Sequence, residues 1–163
     1  MPADDARTKR THVAMPRSVP AERVWETGWG YSRAVRNGSL IEVSGTSSMT
    51  PEGSVFGVGD AYAQTRYVLE VIRDALAQLG GSLEDVVRTR VFVVDIDHWP
   101  EVGRAHAEFF GEIKPASSCL GGITLMSPDL LVEIEATALV STEGDRIDRP
   151  VSSARDRGEA RQA

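Results

Sequence analysis

The sequence predicts an α+β domain with the element order β-β-α-β-α-β-β. Three observations carry this reading: an Asn37-Gly38 dipeptide between two apolar stretches, two segments with apolar residues at helical spacing, and a closing segment whose apolar residues alternate. The stretch SRAVRNGSLIEVSG gives the first two strands, because Asn-Gly accepts the positive φ angles of a tight hairpin turn. In DAYAQTRYVLEVIRDALAQLGG, Val68, Ile72, Ala75 and Leu79, with Val71 and Leu76 beside them, repeat at the spacing of a helix face. Asp60 is placed to cap this helix, and Gly80-Gly81 to stop it.

The next segment, DVVRTRVFVVD, reads as a strand with Val87, Thr89, Val91 and Val93 on one face. Its other face carries two cations, Arg88 and Arg90, with Phe92 and Val94. In DIDHWPEVGRAHAEFFGE, Val102, Ala105, Phe109 and Phe110 form an apolar stripe, and Asp97 is expected to cap a second helix. Two strands follow, around SCLGGITL and LLVEIEATALV, with the turn residues Ser127, Pro128 and Asp129 between them. The last strand places Leu130, Val132, Ile134, Ala136 and Ala138 on one face and Leu131, Glu133, Glu135 and Thr137 on the other. The first face packs on the helices. The second, half apolar and half acidic, is expected to be covered at least in part, for which identical subunits are one hypothesis.

At 163 residues, 41% of them hydrophobic, the chain suits one compact domain. The expected organisation is a flexible N-terminal extension over 1–23, a folded domain over 24–140 and a disordered tail over 141–163, since the tail alternates charge with Ser, Gly and Pro. No apolar run approaches the roughly 20 residues of a membrane span, and the N-terminus lacks the apolar stretch of a secretory signal, so a cytoplasmic location is expected. One cysteine excludes an intramolecular disulfide framework and leaves too few thiols for a structural zinc site. Of the net charge of −6, the two ends contribute little: residues 24–140 hold eight basic and sixteen acidic residues. An acidic body repels phosphate backbones, which argues against nucleic-acid binding.

Several stretches in order match a known family. WGYSRAVRNG, IEVSGT, QTRYVLEVIRDALAQLGGSLEDVVRTRVFVVD, AEFFGE, KPASSCL and VEIEATA together resemble the Rid family, also called YjgF/YER057c/UK114. The resemblance implies a fold similar to AroH-type chorismate mutase, with two helices on one face of a mixed sheet. It further implies a homotrimer with inward-facing sheets and small-molecule clefts between subunits. The best-known subgroup of the family hydrolyses 2-imino acids to 2-keto acids and ammonia without a metal or organic cofactor. Carried over by position, Tyr31, Ser44, Gly45 and Thr46 belong to one wall of the cleft and Ser117, Ser118, Cys119 and Glu135 to the other, with Glu135 expected to position the attacking water. The sequence departs from the family at Ser117, where imine deaminases carry an arginine whose planar fork binds the substrate carboxylate. Thr46, in place of a glutamine, and Gly121-Gly122 suggest a reshaped pocket.

Each of these residues also has a plainer reading. Cys119 is a nucleophile only if a base lowers its pKa, and none of His12, His98 and His106 lies beside it in the sequence; lining the cleft and simple burial are the alternatives. Glu135 is either the water-positioning group or half of an interface ion pair with Arg88 or Arg90, and Glu133 is taken as structural. Tyr31, Trp29 and Trp25 are cleft or core aromatics. FGVGDAY lacks the third glycine of a dinucleotide fingerprint, VSGTSS is no nucleophile elbow, and His98 and His106 have no metal-ligand pattern. The expected function is action on a small imine- or carbonyl-bearing metabolite by water addition or acid-base chemistry. A non-catalytic binding or regulatory module is the alternative, and an endoribonuclease is the reading that the acidic body disfavours.

Overall fold

In the computed structural model, which describes residues 17–20 and 28–141, six strands form one mixed sheet with two helices packed on one face. The strands are β1 (Arg17–Pro20), β2 (Ser32–Asn37), β3 (Leu40–Ser47), β4 (Val86–Val93), β5 (Ala116–Gly121) and β6 (Val132–Leu139). The helices are α1 (Ala61–Gln78), between β3 and β4, and α2 (Trp99–Phe110), between β4 and β5. The strand order is β1-β2-β3-β6-β4-β5. Among neighbouring strands only β4 and β5 run parallel, and α2 provides the crossover that a parallel pair requires.

The expected periodicities place the core. Val132, Ile134, Ala136 and Ala138 are buried on the helix side of β6, facing Val68, Ile72 and Leu76 of α1 and Val102 and Phe110 of α2 in one apolar cluster. Burial of this kind stabilises by roughly 1.5–3 kcal/mol for each large aliphatic side chain. Gln64 is the one long polar side chain sealed inside α1. Its Nε2 donates to the carbonyls of Gly57 and Asp129, and its Oε1 accepts from the Leu131 amide at 2.8 Å. It therefore ties the start of α1 to the start of β6, replacing the hydrogen bonds those backbone groups lose on leaving water. Asp60 caps α1 through the Ala63 amide at 2.8 Å, and Gly80, with φ of 75°, ends it in the left-handed conformation a side chain disfavours.

Five local features differ from expectation. Arg17–Pro20, placed by the sequence in the flexible extension, forms the edge strand β1, because Val19 has a core site to fill beside β2. The hairpin turns on Gly38 and Ser39, with Asn37 paired to Leu40, one residue later than predicted. A register shift between Val86 and Arg88 puts Val86 in the core and leaves Val87 exposed, while Thr89, Val91 and Val93 keep their expected inward face. Asp95, not Asp97, caps the turn before α2, accepting from the Asp97 amide. Finally, β5 stops at Gly121: Gly122 has φ of 80°, and Thr124 and Leu125 lie in the loop that follows. His12, Trp25 and the tail beyond residue 141 lie outside the described residues.

Candidate functional site

The sheet face turned away from the helices carries the site. On β6, Glu133 and Glu135 point to this face because they alternate with the buried Val132, Ile134 and Ala136. Opposite them, the pairing of β3 with β6 is interrupted between Val43 and Thr46, a bulge occupied by Ser44 and Gly45. Bulges re-aim side chains and open a sheet locally. The result is a cavity of about 460 Å³ lined on one side by Ser44, Gly45, Glu133 and Glu135. Trp29 and Tyr31, before β2, and Thr124, Leu125 and Met126, after β5, complete its wall.

Gly45 determines where Glu133 sits. A Cβ at position 45 would fall 2.5 Å from the Glu133 carboxylate oxygen, so any side chain there would push the carboxylate away from the backbone. Arg33 fixes the bulge, its Nη1 donating to the Gly45 carbonyl at 3.1 Å and the Thr46 hydroxyl at 3.2 Å. The Thr46 hydroxyl in turn donates to the Ser44 carbonyl, and the Ser44 hydroxyl to the Ser32 carbonyl. Thr46 is almost fully buried, so it shapes the wall from within.

The two carboxylates have different surroundings. Glu135 is held by Arg90 at 3.3 Å, directly across the β4–β6 ladder. The sequence reading placed such a pairing of Glu135 at an interface; here it forms within one chain, and with both partners partly exposed it contributes little to stability. Burial pushes the Glu133 carboxyl above the ordinary glutamate range; the charge of Glu135 raises it further and Arg33 offsets part of the shift. A carboxyl so placed takes up and releases a proton closer to neutral pH than an ordinary one.

The predicted site residues thus fall into two groups. Tyr31, Ser44, Gly45 and Glu135 meet in the cavity, with Thr46 behind it. Glu135 was expected on the wall with Ser117, Ser118 and Cys119; within this chain it stands instead with Tyr31 and Ser44. The three β5 residues lie at the far edge of the sheet, with β4 between them and β6. Ser118 pairs with Arg90 in register, and Ser117 with Thr89.

At that edge Thr89 donates to the Ser117 hydroxyl at 2.9 Å and lies 3.0 Å from Nε2 of His106. Because threonine has a single hydroxyl proton, and Ser117 accepts it, the imidazole Nε2 is the donor to Thr89. Burial lowers the pKa of His106, so the ring in this chain is neutral near pH 7. The Cys119 thiol is exposed, yet desolvation raises its pKa, which is the opposite of what an activated nucleophile needs.

Two features escaped the sequence reading. Glu133 shares its alternation with Glu135, and nothing local distinguishes them. Thr124 and Leu125 were expected in a strand; with Met126 they line the cavity from a loop. Among the described residues no three His, Cys, Asp or Glu side chains converge as a metal site requires, and no helix is long and apolar enough to cross a membrane.

Comparison with known proteins places this geometry. The family model described as Endoribonuclease L-PSP matches residues 25–140. A protein of Acinetobacter baylyi named 3-aminoacrylate deaminase RutC is 39% identical over 110 residues, covering 68% of this chain and 86% of its own length. A RutC family protein of Pyrococcus abyssi is 35% identical over 108 residues, 66% of this chain and 84% of that one. A crystal structure of a Mycobacterium tuberculosis member of the YjgF/YER057c/UK114 family matches with a TM-score of 0.70 and 46% identity over 77% of this chain and 99% of the other. From the matched residues 25–140 and the shared mixed-sheet fold, the chain belongs to the Rid, or YjgF/YER057c/UK114, family.

Proposed function

We propose that this protein hydrolyses a small imine to a carbonyl compound and ammonia, with Glu133 and Glu135 as the working carboxylates. One observation carries the reading: two carboxylates face a single cavity, one pinned by Arg90 and the other desolvated against Gly45. Pairs of carboxyl groups with unlike surroundings divide acid-base roles between them. The deaminase name of the Acinetobacter relative supports the same class of reaction.

Glu133 is the proton carrier in this proposal. Ionised, it accepts a proton from water as the water oxygen bonds to the carbon of the protonated imine, whose C=N π pair moves to nitrogen to give a neutral carbinolamine. Glu133, now a carboxylic acid, returns that proton to the nitrogen; as the C–N bond breaks, the hydroxyl oxygen forms the carbonyl and its proton passes through Glu133 to the departing ammonia. Glu135, with its orientation set by Arg90, holds the water in place, which keeps the positioning role expected of it. Ser44 and Tyr31 contribute polar contacts to the bound substrate.

The assembly belongs to the proposal as well. Ser117, Ser118 and Cys119 reach a cleft with the cavity residues only across a boundary between copies, so we place the complete site between subunits of a homotrimer. A carboxylate-lined wall suits a small ligand better than an RNA backbone. The test is to generate imines in situ, with and without a carboxylate, and measure carbonyl release with and without the protein. Acceleration of at least one over its spontaneous rate is expected; no acceleration of any would refute the hydrolytic reading.

A further inference from the structure

The lining of the cavity also limits the charge of what enters it. Glu133 and Glu135 face the cavity, and among the described residues no lysine or arginine lines it. The two cations nearest the carboxylates are engaged: Arg33 by the Gly45 carbonyl and the Thr46 hydroxyl, and Arg90, on the same sheet face, by Glu135. At Glu133 the charge of Glu135 acts more strongly than that of Arg33. An anionic ligand would meet like charge in a partly desolvated site, where such repulsion is weakly screened.

The remainder of the wall is neutral and largely apolar. Trp29 is 84% exposed and Met126 75%, and with Leu125 they border the cavity. Large apolar side chains left open to water beside a cavity gain by contact with an apolar ligand group. Tryptophan and methionine suit this role, one offering a broad rigid face and the other an adaptable chain.

We propose that the substrate is an imine that bears no carboxylate and carries an apolar arm seated against Trp29, Leu125 and Met126. This rests on the hydrolytic reading above and names the substrate class of the same cavity. One imine and one water give one carbonyl compound and one ammonia, with no oxidant or reductant consumed. Oxidation of a primary amine would supply such a substrate, whereas oxidation of an amino acid would leave the carboxylate in place.

A matched pair of substrates tests the inference. A flavin amine oxidase acting on 2-phenylethylamine yields a carboxylate-free imine, and an amino-acid oxidase acting on phenylalanine yields an imine with the same aromatic arm plus a carboxylate. With the full-length wild-type protein, acceleration over the spontaneous rate is expected to be at least tenfold greater for the carboxylate-free imine. Equal acceleration, or a preference for the carboxylate-bearing imine, would overturn this inference while leaving the hydrolytic reading in place; acceleration of neither would overturn both. Trp29→Ala is expected to raise KM for the phenylethylamine-derived imine severalfold with kcat little changed. An unchanged KM would remove the apolar arm from the inference.

Discussion

The two parts of the predicted site sit on opposite sides of β4 and are built on opposite principles. The cavity at β3 and β6 is an opening in the sheet, made by a bulge and walled by two carboxylates. The β5 edge is a closed polar chain, in which Ser117 receives a hydrogen bond from Thr89, and Thr89 meets His106. In the first region the sequence keeps charge and gives up side-chain volume, at Gly45. In the second it gives up charge, at Ser117, where imine deaminases of the resembled subgroup carry arginine. In the proposed reaction the acid-base chemistry resides at β6, and the difference at β5 bears on which substrate is accepted.

Four substitutions probe this contrast. The largest effect is expected at Glu133: Glu133→Gln lowers kcat/KM for the accepted imine by about 10²–10⁴, the usual contribution of a positioned acid-base group. Next is Ser117→Arg, which restores a guanidinium at the β5 edge. It is expected to raise kcat/KM on 2-iminopropionate about tenfold over wild type, in line with one charge-assisted contact of roughly 1.5 kcal/mol; no gain would separate this edge from the substrate. Gly45→Ala is expected to displace the Glu133 carboxylate and cut kcat severalfold or more, because its Cβ would occupy the space of that oxygen. The smallest activity effect is expected at Thr89→Val, which breaks the hydroxyl chain and costs about 1 kcal/mol of stability, read from thermal unfolding, with turnover nearly unchanged.

Glu133 also links stability to pH. Its folded pKa is raised, so folding favours the protonated carboxyl. The stabilising contribution is complete below the ordinary value of 4.5 and is lost as the pH rises through the higher folded value. Glu133→Gln, which stays neutral at every pH, should therefore melt higher than wild type at pH 7, with the gap closing toward pH 4. A variant less stable than wild type at pH 7 would place Glu133 in a structural ion pair.

Much of this architecture is legible from local pattern. The alternation in LLVEIEATALV and the helical spacing from Val68 to Leu79 each specify which face is buried, and the structure buries those faces. The bulges are not legible in the same way. At Ser44-Gly45 and at Val86-Val87 the register slips by choice of partner strand, a long-range event with no local signature beyond one glycine. For the same reason Glu133 and Glu135 have equal standing in the sequence. Gly45 and Arg90, which distinguish them, come from two other strands. A glycine directly after a strand serine was the one available signal, and it acquires meaning only once β3 is laid against β6.

The division of labour between the two carboxylates is decided by assaying Glu133→Gln and Glu135→Gln side by side, on the imine that wild type hydrolyses, at pH 7 and equal folded concentration. Glu133→Gln should lose about 10²–10⁴ in kcat/KM, whereas Glu135→Gln, which loses orientation but keeps the proton carrier, should lose markedly less. Glu133→Gln with near wild-type turnover, and Glu135→Gln without any, would reverse the two roles.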